Sequence, residues 1–167
     1  MLSVESNFDE LVRDDIERFQ EKIGLKPGAD LQMVMLKAHL LIEEALQAFI
    51  DRSVGNASML TKARFTFAQR LVLAEALHPD PNCFGYGWVW ESARDLNALR
   101  NQMAHHLEPK DFSIRVAEWA DSIEVNLLLL VKRGEGTEYE MARFGFDVSV
   151  LNVCLTRLLH SHYFASV

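Results

Sequence analysis

The chain has 167 residues, nearly half of them hydrophobic and a quarter charged, with a formal net charge of −7. This length predicts one domain, 1–167, large enough to bury a core without disulfide or metal staples. The acidic total excludes a surface that coats nucleic acid broadly, though not a local basic groove.

The charge is uneven. Residues 1–30 carry eight acids against four bases, whereas Thr61 to Arg70 holds Lys62, Arg64 and Arg70 and no acid. Met1 to Glu10 has three acids and no apolar core, so it does not read as a signal peptide. The longest unbroken apolar run, Leu127 to Val131, is far short of the ~20 residues that span a bilayer. The expectation is a cytoplasmic protein with no membrane partner. Cys83 and Cys154 fit no CxxC or Cys/His spacing and read as reduced, buried thiols.

In chain order, Asn7 to Lys22 predicts a first helix, ended by Gly24 and Pro27-Gly28. Asp30 is placed to cap a second helix, whose apolar residues recur from Leu31 through Val34, Ala38, Leu41, Ala45 and Phe49 at three- and four-residue steps. Gly55-Asn56 closes it. A third helix is expected from about Lys62 to Leu77, ended by His78-Pro79-Asp80-Pro81. A fourth runs from about Tyr86 to Leu107, stopped by Pro109. Asp111 is expected to cap a fifth, reaching about Arg133. After the Gly134-Glu135-Gly136 loop, a final helix is expected from Asp147 to about Tyr163. That last helix is apolar on most sides and therefore has to be buried, in the core or against another subunit. Nothing reads as a strand pair. The fold class is all-α: a single antiparallel bundle of about five or six helices, expected to be dimeric.

Several chemistries are excluded. A di-metal carboxylate bundle needs two Glu-x-x-His pairs, and only Glu75/His78 has that spacing. His160 and His162 are two residues apart and point apart on a helix. No GxSxG, HExxH, phosphate-loop or dinucleotide-binding glycine pattern is present. No cofactor and no metal is expected.

One segment stands out: Leu96-Asn97-Ala98-Leu99-Arg100-Asn101-Gln102-Met103-Ala104-His105-His106. On a helical wheel Leu96, Leu99, Met103 and Leu107 form a narrow apolar stripe, while Trp90, Arg94, Ala98, Asn101 and His105 gather opposite. Two readings of that second face stand side by side. It is a second packing surface, or Trp90 tucks under the loop after Pro81 while Asn101 and His105 face solvent.

Arg100-Asn101-Gln102-Met103-Ala104-His105 resembles the R-x4-6-H signature of HEPN domains, including the polar residue after the arginine. LNALRNQMAHHLEP looks like the motif helix of the toxin and abortive-infection branches, and AHLLIEEALQAFID, from Ala38 to Asp51, looks like the long early helix before it. The resemblance covers roughly Leu31 to Phe112. It implies a helical bundle that dimerises with two motif helices facing each other, and metal-independent cleavage of RNA in a toxin or defence-like setting, with a cognate antitoxin as a further partner. It also implies inactive relatives that kept only the fold. The sequence departs from the branch with a tyrosine two residues after the histidine, where it has Leu107, so control by modifying such a tyrosine is not implied.

Under this resemblance His105 is the expected general base and acid, because an imidazole holds both protonation states near neutrality. Arg100 is the planar donor fork for the phosphate. Asn101 supports His105 from one helical turn away, and His106 is the second-choice histidine. Lys62, Arg64 and Arg70 are expected to hold RNA phosphates. The runner-up is a non-catalytic dimeric interaction or regulatory module, in which Arg100 pairs with Glu43 or Asp95 and the histidines stabilise a helix C-terminus.

Overall fold

The computed structural model describes residues 2–105, 110–126 and 136–164. Among these the chain is all-helical, without a strand. The α-helices are α1 (Leu2–Ile23), α2 (Leu31–Ser53), α3 (Phe67–Leu77), α4 (Trp88–His105), α5 (Phe112–Asn126) and α6 (Thr137–Phe164). Short 3-10 turns cover Ala57–Lys62 and Cys83–Gly85. One hydrophobic core joins all six helices, and no helix among the described residues is long and apolar enough to cross a membrane.

The ends of the helices follow from local chemistry. α1 stops where Gly24 takes a left-handed conformation (φ 75°), letting Leu25 N donate back to Gln20 O at 2.9 Å. Asp30 caps α2 as expected, its Oδ1 accepting from Gln32 N at 3.0 Å. α3 starts later than expected, at Phe67 rather than about Lys62. The reason is a reciprocal cap: Thr66 N donates to Gln69 Oε1 at 2.9 Å, and Gln69 N donates to Thr66 Oγ1 at 3.3 Å. Lys62 therefore ends a 3-10 turn, and 63–66 is an extended connection. Asp111 precedes α5 in a left-handed conformation (φ 55°), its carbonyl accepting from Arg115 N. The expected continuation of α5 to Arg133 falls outside the described residues.

α6 begins ten residues before the expected Asp147 and runs through Gly145. A Cβ at Gly145 would lie 2.3 Å from Leu25 Cδ2, so the missing side chain is what lets the α1–α2 connection seat on α6. α6 packs on α1, α2, α4 and α5. Phe144, Val148, Leu151, Leu155 and Leu158 are fully buried there. The chain itself thus buries much of this helix in its own core.

Trp90 is buried as well, its Nε1 donating to Pro81 O at 2.8 Å. Of the two readings of the α4 back face, Trp90 follows the second: it pins the 79–87 loop and offers no surface to a partner. Beside it, buried His78 faces Leu158 O at 2.6 Å, tying the end of α3 to α6. The face of α4 left open is Ala98, Asn101 and His105.

Candidate functional site

Three elements converge on an open cleft of about 430 Å³. α2 contributes His39 and Glu43, the start of α3 contributes Thr66, Phe67 and Ala68, and α4 contributes Asn97, Arg100 and Asn101. Asn97, Arg100 and Asn101 share a helix face because they stand at i, i+3 and i+4. The capping box at Thr66 fixes where α3 enters, and its Oγ1 takes up the Gln69 N–H.

His39 lies at the base of the cleft and is 5% exposed. Its ring stacks on Phe67 with centroids 4.1 Å apart. Its Nε2 is 3.0 Å from Asn97 Oδ1. A carbonyl oxygen accepts, so the neutral ring carries its proton on Nε2 and donates it to Asn97. Burial pushes the His39 pKa below the usual imidazole range. The Asn97 hydrogen bond and the Glu43 charge pull upward without overcoming burial, and Arg100 depresses it further.

Arg100 is half-buried, and its Nη1 donates to Asn101 Oδ1 at 3.2 Å. It makes no ion pair among the described residues. Glu43, one of the two acids considered for it in the sequence, is held by Arg70 instead. This sets Arg100 apart from Arg70, Arg94 and Arg143, each of which is neutralised by a carboxylate: Glu43, Glu75 and Glu124 respectively.

The remaining sequence-derived residues divide. Asn101 lines the cleft with Arg100. His105 is exposed at the last described turn of α4, on the Asn101 row but about 6 Å further along the axis, outside the cleft lining. His106 lies outside the described residues. Lys62 and Arg64 are exposed on the segment that leads into Thr66, beside the cleft. Arg70, expected with them, has partners within the chain. Its Nε donates to Gln47 Oε1 at 2.8 Å and its Nη1 to Glu43 and the Phe65 carbonyl, so it clamps the 63–66 connection onto α2 instead of presenting a free cation.

His39 and Asn97 were missed in the sequence. The signal was present: a histidine inside the buried Met35–Ala38–Ile42 stripe, and an asparagine one turn before the Arg-Asn pair on the same face. A second cleft, about 380 Å³ between the α1–α2 connection and the start of α6, is lined chiefly by Leu25, Pro27, Ala29 and Met141 and gathers no comparable set of polar groups. No group of three or more metal-ligating side chains occurs among the described residues. Comparison with protein-family models, with curated proteins and with solved structures finds no match, so the chain is assigned to no family on that basis.

Proposed function

We propose that the chain is a metal-independent endoribonuclease of the HEPN type, toxin or defence-like, acting as a homodimer of antiparallel helical bundles in the cytoplasm. The observation that carries this reading is Arg100, a half-buried guanidinium that lines a polar cleft without a carboxylate to neutralise it. Keeping such a charge half out of water is unfavourable unless an anion comes to it. A phosphodiester is the anion that a planar donor fork fits best.

In this reading Arg100 stabilises the charge that builds on the phosphorane, and Asn101 orients the guanidinium through its Oδ1. His105 supplies proton transfer. Because it stands outside the cleft of its own chain, the facing motif helix of a second copy brings the complementary histidine. The Ala98/Asn101/His105 strip is the surface left for that contact. Lys62 and Arg64 extend the phosphate track, and a cognate antitoxin would cover the same face.

The exposed position of His105 favours one second reading, a non-catalytic dimeric module that kept the bundle. The two separate on cleavage of RNA in EDTA. The ribonuclease reading expects activity in wild type, loss of at least ~100-fold in Arg100→Ala at unchanged thermal stability, and poor rescue by Arg100→Lys, whose point charge lacks the fork. Sedimentation showing a dimer together with intact RNA would select the module.

A further inference from the structure

The pairing of His39 with Asn97 has no role in the motif, yet it places a second side-chain amide beside Arg100. The His39 ring is immobilised on one face by Phe67, and burial keeps it neutral. Its Nε2–H occupies Asn97 Oδ1. A carboxamide is planar, so fixing the oxygen also fixes the nitrogen on the other side of the group. Asn97 Nδ2 has no partner among the described residues, and Asn97 is half-buried at the cleft. The same holds one turn later, where Arg100 occupies Asn101 Oδ1 and leaves its Nδ2 free.

The side-chain groups left without a partner among the described residues are thus nearly all donors: two amide nitrogens and the remaining N–H groups of Arg100. Among the described residues the one carboxylate in the lining, Glu43, is neutralised by Arg70. A surplus of donors around one unpaired cation is complementary to the non-bridging oxygens of a phosphate.

We propose that this cleft is where the phosphate of the strand sits, that Asn97 Nδ2 donates to it beside Arg100 and Asn101, and that His39 is the positioning residue that turns the Asn97 amide toward it. The inference deepens the ribonuclease reading, on which the identity of the strand as RNA rests. Its test is therefore binding rather than cleavage.

The side-chain amide and guanidinium resonances of ¹⁵N-labelled full-length protein are followed while inorganic phosphate is titrated in. In a second arm the probe is a short oligo-dT, which has phosphodiesters but no 2′-hydroxyl and stays intact. The expected result is movement of the Asn97, Arg100 and Asn101 side-chain signals with both probes, tighter with the oligonucleotide. Asn97→Ala should weaken binding about 10-fold, the usual worth of one hydrogen bond to a charged group. His39→Leu should weaken it comparably without touching the probe. His39→Gln, whose amide N–H can replace the Nε2–H, should restore binding to within about 3-fold. Unchanged affinity in folded Asn97→Ala and His39→Leu overturns the proposal, as does equal weakening by His39→Leu and His39→Gln. Movement with inorganic phosphate alone overturns the strand assignment. Absence of RNA cleavage with these binding results intact would refute the ribonuclease reading and leave the phosphate site standing.

Discussion

Asp147 offers a test of the buried electrostatics that hold α5 to α6. Its side chain is fully buried and neither carboxyl oxygen accepts a hydrogen bond. Arg143, one turn earlier, is 4.0 Å away at Nε but spends its donors on Glu124, at 2.7 and 2.9 Å, and on Asp121. Among the described residues the charged groups facing Asp147 are therefore one cation and two acids. Burial, with the neighbouring Glu124 charge, pushes its pKa up from 3.8 to about 8.

The sign follows directly. Between about pH 4 and pH 8 the unfolded chain has released this proton and the folded chain still holds it, so the contribution of Asp147 to stability falls as pH rises. Asp147→Asn keeps the shape of the side chain and removes the titration. Wild type should therefore lose stability relative to Asp147→Asn by up to about 1.4 kcal/mol per pH unit, reaching about 4 kcal/mol at pH 7 and levelling off above pH 8. Urea denaturation of both proteins from pH 5 to pH 9 reads the difference. A gap that does not change with pH, or one that closes as pH rises, would refute the reasoning.

Three further outcomes are expected in thermal or urea denaturation. Trp90→Ala should cost about 3–5 kcal/mol and Trp90→Phe only about 1–2, since the latter loses the bond to Pro81 O but keeps most of the packing; near-neutral effects would mean that the residue is not buried. Gly145→Ala should destabilise despite the ~1 kcal/mol gain in helix propensity, and adding Leu25→Ala should recover part of the loss in a double-mutant cycle. Arg70→Met should lower stability by about 1–3 kcal/mol by leaving Glu43 unpaired. Reversing Lys62 and Arg64 to Glu should leave stability unchanged while weakening RNA binding and flattening its salt dependence. Unchanged RNA affinity after both reversals would remove that segment from the binding surface.

Much of the helix order was legible because apolar spacing and breaker residues act locally: Asp30 as a cap, Gly24 as a stop, and the breaks around Pro27, Pro79 and Pro81. What was misread depends on contacts between distant segments. The final helix starts ten residues before Asp147 and runs through Gly145, a mid-helix point of close approach to Leu25, 120 residues away in the chain. Asp147 looked like the start of a helix and is instead buried inside one. The start of α3 was legible after all, as Thr66-x-x-Gln69, but the apolar pattern reaching back to Lys62 masked it. For the site, the Arg100/Asn101 face could be drawn on a wheel, whereas the capture of Glu43 by Arg70 and of Asn97 by His39 requires α2, α3 and α4 to be in place. Trp90 shows the limit of the wheel: its angle put it on the open face, and the 79–87 loop covers it.

The central claim is chemical, and the most direct measurement is made on the products. Folded wild type and His105→Ala are incubated with total cellular RNA in EDTA, and the new ends are mapped. Without a metal to generate hydroxide, the neighbouring 2′-oxygen is the available nucleophile. Wild type should cut single-stranded regions and leave 2′,3′-cyclic phosphate and 5′-hydroxyl ends, with His105→Ala slower by at least ~100-fold. Intact RNA after incubation with folded wild type, or equal cleavage by both proteins, would contradict the account.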